Sequence, residues 1–515
     1  MTNQDTTIAW KYHEATKHSY WSVRTSAHFL DWENQPLPFK IYPELDPIPL
    51  PRELPETGVS AFTALGERVS PPGPATAPMR PTLAQLAHTL FYSAGITKKK
   101  AYPGGEFFFR AAACAGALYP IEVYVVCADL PDLPAGVYHF SPLDFGLRRL
   151  RAGDHRTFLA AAAAHESALL WAPVIFVYTA LSWRSAWKYR ARAYRYHFWD
   201  CGMILANAMA AATAWRLPHK LIVGFQDDMV NHLVGVDGER EMSLALLALG
   251  QTAEPLAMPD ERPTLPEVRW TVVPLSREEV PYPLIHQMHA ASQLHSAEEV
   301  RSWRAHPLRR QGSNPQTALL PLDPIAPSAL PEESLESVIR RRASTRRFAR
   351  KPIAFSELST ILDYGLRGFP CDAIEEPLND LYVNVHAVDS LTPGAYVLHH
   401  ERRAMELLKA SDFRRESRYL CLEQDLGGDA SATVFFLADL PTILAHYGNR
   451  GYRLAQLEAG IIGGKFYLAA YALHRGATGL TFYDDDVTAF FSPHAQGKSA
   501  IFVMALGVAG PRPRW

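Results

Sequence analysis

YRYHFWDCG at residues 194–202 returns as YRLAQLEAG at residues 452–460, an offset of 258 positions. The same offset pairs Tyr124 with Tyr382, GVYHF (136–140) with GAYVL (394–398), and QDD (226–228) with DDD (484–486), all without a gap. One such match arises by chance; a run of them at one spacing marks an internal repeat. The chain is therefore expected to hold two copies of one domain, each of roughly 170–180 residues, which is also what 515 residues demand of hydrophobic cores of limited size.

Each copy reads as α+β. In the first, IEVYVV (121–126) and WAPVIFVYTA (171–180) are strand-like, and GVYHFSP reads as a strand entering a turn. A helix is expected over 196–215, with its repeat partner over 454–473. Both are rich in small residues (Ala459, Gly460, Gly463 and Gly464 in the second), which allow close approach of another backbone, as at a helix–helix seam; a generic Ala-rich core helix has the same pattern.

Composition is that of an ordinary globular protein, 48% hydrophobic and 20% charged. A net charge of −2 gives no pull towards nucleic acid or an anionic membrane. The five cysteines form no CxxC pair, which argues against a disulfide framework and a thiolate metal site, so no metal is expected. No stretch has the length and apolarity of a membrane span or signal peptide; the expected location is cytoplasmic.

Residues 255–331 carry 13 of the 40 prolines and read as a connector, with a plausible helix over 286–304. The N-terminal 75 residues are also Pro-rich and are expected to lie extended on the surface. The expected organisation is an extension (1–75), a first domain (76–255), a connector (256–335) and a second domain (336–515).

The copies differ where chemistry would sit. The second opens with RRRASTRRFARK (340–351), in which Arg342, Ser344 and Arg346 alternate and point one way from an extended segment. Two guanidiniums and a hydroxyl suit a phosphate monoester; a solvated basic face reads the same way. Aligning LAQLAHTLFY (83–92) with FSELSTILDY (355–364) puts VSPPGPA (69–75) opposite this motif, without an arginine. The first copy has instead RAAACAGALYPIEVYV (110–125), a small-residue loop of Cys114, Ala115, Gly116 and Ala117 running through Leu118 into a strand. Such a loop leaves backbone N–H groups free to approach a flat ligand, although a tight turn needs the same residues. The second copy has AIEEPL (373–378) there. A composite site, with cradle from one copy and loop from the other, accounts for both losses.

These residues resemble the flavin-dependent nitroreductases, specifically the SagB/ThcOx-type dehydrogenases in tandem form. RASTRRF resembles the family's Arg-x-Ser-x-Arg phosphate motif, CAGALYP its "SAGALYP" loop with Cys114 where Ser is usual, and KYRARAYRYHFWDCG the stretch entering its central helix. The resemblance implies two nitroreductase-like domains forming an intrachain pseudo-dimer, which a monomer would contain whole, with one FMN per chain between them. It places Arg342, Ser344 and Arg346 on the phosphate, joined by Arg512 or Arg514. Gly479 and Leu480 would meet the flavin edge, and Cys114–Ala117 and Leu118 would come from the other copy. It also singles out Lys188 and Tyr189, the pair that azoline-oxidising members use: an amine whose pKa burial lowers, and a hydroxyl beside it to relay a proton. The second copy has His446 and Tyr447 instead. A basic aromatic surface helix has the same composition.

Three functions remain open on these grounds. One is an FMN-dependent dehydrogenase acting on a small heterocycle or peptide-bound azoline. Another is an NAD(P)H-dependent nitro- or quinone reductase, with NAD(P)H or another electron carrier as partner. The third is a non-catalytic flavin-binding or scaffold protein.

Overall fold

The computed structural model describes residues 2–511 except 103–104, 260, 262–263, 311 and 313. It contains two seven-stranded antiparallel sheets with the same strand order. In the first the order is Ile48–Pro49, Gly146–Ala152, Gly136–Ser141, Ile121–Cys127, Val174–Leu181, Glu241–Leu249 and His219–Ile222. In the second it is Leu319–Pro321, Ala404–Ala410, Gly394–His399, Asn379–Val385, Ala432–Ala438, Ser499–Gly507 and Gly476–Leu480.

The repeat extends to backbone detail. Five strands of the second sheet begin 258 residues after their partners: Asn379 after Ile121, Gly394 after Gly136, Ala404 after Gly146, Ala432 after Val174 and Ser499 after Glu241. The register shifts recur as well, between Val137 and Tyr138 and again between Ala395 and Tyr396, and between Tyr178 and Thr179 and again between Phe436 and Leu437. Bulges set strand bend and twist, so the two sheets curve alike. The central strands are buried along their whole length, as the largely apolar runs at 121–127, 174–181 and 432–438 require, with Glu122 in the first paired to Arg184 and His139.

The N-terminal extension does not simply lie extended on the surface: helix Thr7–Ala15 buries Ala9, Tyr12 and His13, with Tyr12 packed on Tyr194 and Tyr452 of the two copies. The Pro-rich segments are structural as well. Each delivers its sheet's edge strand: Ile48 pairs with Leu147 in the extension, and Leu320 with Met405 in the connector. Each then starts a short helix capped by serine, Ala61–Gly66 after Ser60 and Leu335–Arg341 after Ser334, and the two caps bridge to each other. The single helix expected over 286–304 is two, Pro283–Ala291 and Ala297–Arg304, because Ser296 and Glu299 form a capping box that starts a new helix.

The copies join along their long helices, Ala193–Ala214 and Arg450–Ala472. Gly202 and Gly460, repeat partners, face each other: a Cβ on Gly202 would lie 2.5 Å from the Leu457 carbonyl oxygen, and one on Gly460 2.5 Å from that of Trp199. Trp199 Nε1 donates to Gln456 Oε1 at 2.6 Å across the seam.

Ion pairs cross it reciprocally. Arg192 and Arg195 of the first copy grip Asp484 of the second at 2.9 and 2.6 Å, and Arg450 and Arg453 grip Asp227 of the first at 2.6 Å each. All six side chains are buried. Burial raises the Asp484 carboxyl, but the two arginines outweigh it and hold it at about 2. Removing one partner from such a buried group strands a charge and costs roughly 3–5 kcal/mol. Among the described residues no helix is long and apolar enough to cross a membrane.

Candidate functional site

The basic segment of the second copy meets the small-residue loop of the first. Leu335–Arg341 ends at Arg342, and the chain runs on extended. Thr345 N donates to Ala477 O at 2.9 Å, docking the segment on strand Gly476–Leu480. Arg342 crosses between copies: its Nε donates to Ala111 O at 2.9 Å and its Nη2 to Arg110 O at 3.0 Å. The resemblance implied that Arg342 contacts phosphate; here part of its guanidinium ties the two halves together. Ser344 Oγ lies 3.1 Å from Tyr467 OH, which accepts from Gly479 N at 3.0 Å. One phenol thus links two expected site residues, while leaving the Gly479 N–H engaged. Leu480 is buried in its strand. Arg346 is exposed, and its charge bears on both Lys188 and Tyr189. Arg512 and Arg514 lie outside the described residues.

Asp200 of the first long helix fixes the loop, accepting from Ala115 N at 2.9 Å and from the Cys114 thiol at 3.1 Å. Burial pushes the Asp200 carboxyl up to about 7, and burial followed by Asp200 raises the Cys114 thiol well above its usual range, so Cys114 is a donor rather than a nucleophile. Gly116, Ala117 and Tyr119 all have left-handed backbones, at φ +63°, +55° and +51°. Two of the three pay a steric penalty that glycine does not. Leu118 between them is buried.

Lys188 and Tyr189 end helix Ser182–Tyr189. A Cβ on Gly116 would fall 2.7 Å from the Tyr189 hydroxyl oxygen, so the phenol reaches over the loop only because residue 116 has no side chain. The Tyr189 ring packs on Tyr196 at 4.2 Å. Arg190 follows at φ +53°, a position that glycine fills in the other copy, Gly448 at φ +66°. A strained non-glycine directly after this pair is the type of feature that accompanies function. Burial, then the charge of Arg346, lowers the Lys188 ammonium below its usual value, and no carboxylate pairs with it among the described residues. Arg342 of the second copy thus bonds to the stretch that leads into the first copy's loop, and the charge of Arg346 bears on Lys188.

The profile of the Nitroreductase family matches residues 79–251 and, separately, 339–508. The chain belongs to the nitroreductase family. A crystal structure of an Anabaena variabilis protein assigned as a nitroreductase is 27% identical and superposes with a TM-score of 0.76 over 98% of this chain and 99% of its own. The tandem nitroreductase arrangement is therefore shared over the full length. A nitroreductase-assigned protein of Methanocaldococcus jannaschii, MJ1384, is 27% identical over 34% of this chain and 82% of its own length. The Microcin B17-processing protein McbC of Escherichia coli is 27% identical over 27% of this chain, and the Trifolitoxin-processing protein TfxB of Rhizobium leguminosarum bv. trifolii 29% identical over 35%. The chain spans about half the length of each processing protein, 49% and 48%.

Three features around this candidate site are not marked by any motif in the sequence. Tyr467 and Asp200 sit on the long helices, where nothing one-dimensional distinguishes them from core residues, although Asp200 lies within the repeat segment itself. The third is hairpin Ile96–Tyr102 and Gly105–Arg110. It makes the first copy 14 residues longer between its helix Leu83–Ala94 and strand Ile121–Cys127 than the second copy is between Phe355–Leu366 and Asn379–Val385, a difference that the two repeat alignments already contained.

Proposed function

We propose that the chain is an FMN-dependent oxidoreductase of the SagB/ThcOx type that oxidises a small heterocycle or peptide-bound azoline. The observation carrying this reading is the meeting of Arg342, Ser344 and Arg346 from one copy with Cys114–Ala117, Lys188 and Tyr189 from the other. The residues present suit the cofactor's phosphate: two guanidiniums and a hydroxyl match one phosphate monoester. When bound, FMN supplies a hydride acceptor.

The chain's own residues supply the rest. Arg346 and the unengaged side of Arg342 hold the phosphate with Ser344. Asp200 keeps the loop open by binding Ala115 N and the Cys114 thiol. Lys188, with its proton affinity already lowered, takes a proton from the substrate, and Tyr189, fixed over Gly116, orients it. The names of the two processing proteins support a peptide substrate.

Purified protein is expected to be yellow and to release FMN rather than FAD. Lys188→Ala should keep the flavin and lose about 10²–10⁴-fold in turnover of an azoline substrate. An unchanged rate, with rapid NADPH oxidation in the presence of a quinone, would favour the reductase reading that MJ1384 suggests.

A further inference from the structure

The second sheet carries a polar group that the first lacks. His399 ends strand Gly394–His399, and Glu406 stands on its antiparallel neighbour Ala404–Ala410. The register pairs His399 with Ala404 and Val397 with Glu406, so both side chains share one face. His494 joins them from the turn after helix Asp484–Phe491. One ligand atom from each of the three lies within 4.8 Å of the other two.

Glu406 is fully covered, at 0% exposure, yet no lysine or arginine pairs with it among the described residues. Its Oε1 accepts from the backbone N–H groups of Gln316 and Thr317 at 2.6 and 2.9 Å, and its Oε2 lies 2.8 Å from His399 Nε2. The carboxylate is thus oriented from behind, with one oxygen turned towards the imidazoles. The corresponding face of the first copy is neutralised differently: Lys40 Nζ lies 2.8 Å from Tyr124 OH and 2.5 Å from Glu241 Oε2.

Tyr382, the repeat partner of Tyr124, lies 2.9 Å from His494 Nδ1. Its oxygen accepts from Lys498 Nζ at 3.0 Å, and its proton can reach His494 O at 3.4 Å. The assignment that satisfies all these groups has His494 Nδ1–H donating to the phenol, which leaves the lone pair on Nε2. That Nε2 is buried and has no partner among the described residues. An outer partner that fixes the tautomer in this way is what a metal-binding imidazole requires. At the repeat positions the first copy has Ser141, Arg148 and Val236, so the fold itself does not call for the triad.

We propose that His399, Glu406 and His494 bind one divalent transition-metal ion of the zinc class. Two imidazole nitrogens and a carboxylate oxygen are a borderline ligand set suited to zinc rather than to magnesium or calcium, with the fourth position left to water. Ligand atoms ~2.1 Å from a tetrahedral ion stand about 3.4 Å apart. On binding, His399 Nε2 and Glu406 Oε2, now 2.8 Å apart, part slightly while His494 draws in, a movement open to its partly exposed turn. The ion displaces the proton shared by His399 and Glu406, and it clasps the hairpin, the connector at Gln316–Thr317 and the C-terminal turn together. It shares no residue with the flavin site.

The test uses the full chain without an affinity tag, stripped with EDTA and titrated with Co²⁺. One equivalent should bind with the visible absorption of a tetrahedral ion, Zn²⁺ should displace it, and Zn²⁺ should raise Tm. His494→Gln should lose the colour and at least tenfold in affinity while melting like the wild type in EDTA. Glu406→Gln, if it folds, should do the same. Absence of uptake, or one equivalent that survives His494→Gln unchanged, would overturn the proposal.

Discussion

The site between the second copy's arginines and the first copy's loop has a pseudo-symmetric mate, and the two have diverged while the frame around them has not. In the mate, counted from the matching caps Ser60 and Ser334, Arg68 and Ser70 stand at the positions of Arg342 and Ser344, which the helix alignment of the sequence sets further along at 69–75; Pro72 replaces Arg346, and Glu375 and Glu376 occupy the loop position. Two adjoining cavities of about 510 and 470 Å³ lie there. Met209 replaces Tyr467, so no phenol ties cradle to strand. Tyr447, the partner of Tyr189, is occupied: its hydroxyl donates to Ala373 O at 2.7 Å and accepts from Leu308 N at 2.7 Å, while Trp303 of the connector donates to its carbonyl oxygen. The Tyr189 hydroxyl lies over Gly116 of the loop, whereas Tyr447 is a packing residue. By contrast the reciprocal Arg–Asp pairs, the facing glycines and the bulges are present twice. Packing needs both halves of the symmetry; chemistry needs one competent site.

The largest expected effect falls on flavin retention. Arg342→Ala with Arg346→Ala removes two charge-assisted contacts worth roughly 1.5–3 kcal/mol each, so FMN affinity should drop at least a hundredfold. Glu375→Gln with Glu376→Gln in the mate should leave affinity unchanged. Equal losses from both, measured by equilibrium dialysis, would erase the distinction between the sites.

Next comes the seam. Gly202→Ala and Gly460→Ala each push a methyl group into backbone of the other copy, an overpacking that costs about 1–3 kcal/mol. The two variants should lower Tm by similar amounts. A large drop in one and none in the other would show that the two glycines do not play equivalent parts in the seam.

The smallest effect is on pH dependence. Burial raises both Asp200 and its repeat partner Glu458 to about 7. Their folded values exceed the unfolded ones of about 3.9 and 4.3, so between roughly pH 4 and 7 the folded chain holds protons that the unfolded chain has released. Stability should fall as pH rises through that window. Asp484, held at about 2, acts in the opposite sense and lower: its contribution is present above about pH 4 and is lost as pH falls through 2. Asp200→Asn and Glu458→Gln should each flatten the upper slope in urea titrations; a slope unchanged by either would assign it to other groups.

Much of this was legible in the sequence. The offset of 258 fixed strand positions because insertions fall outside the sheet core, and the loop and basic motif were visible as the places where the repeat fails. The cross-copy ion pairs were not. Their residues lay in the very segments that revealed the repeat, YR at 194–195 and 452–453 and QDD against DDD, but a linear alignment pairs each with its equivalent and never with its partner in space. The edge strands were hidden because proline-rich composition is compatible with a two- or three-residue edge strand as well as with none. His399, Glu406 and His494 have no motif spacing; only the hairpin and the C-terminal turn bring them together.

The central claim is that one chain builds one flavin site. The direct measurement is the molar ratio of FMN to polypeptide in saturated, dialysed protein, followed by a crystal structure of that complex. The account requires one FMN per chain, with its phosphate at Arg342–Arg346 and its ring against Cys114–Ala117. Two flavins per chain, or a flavin seated beside Glu375, would contradict it.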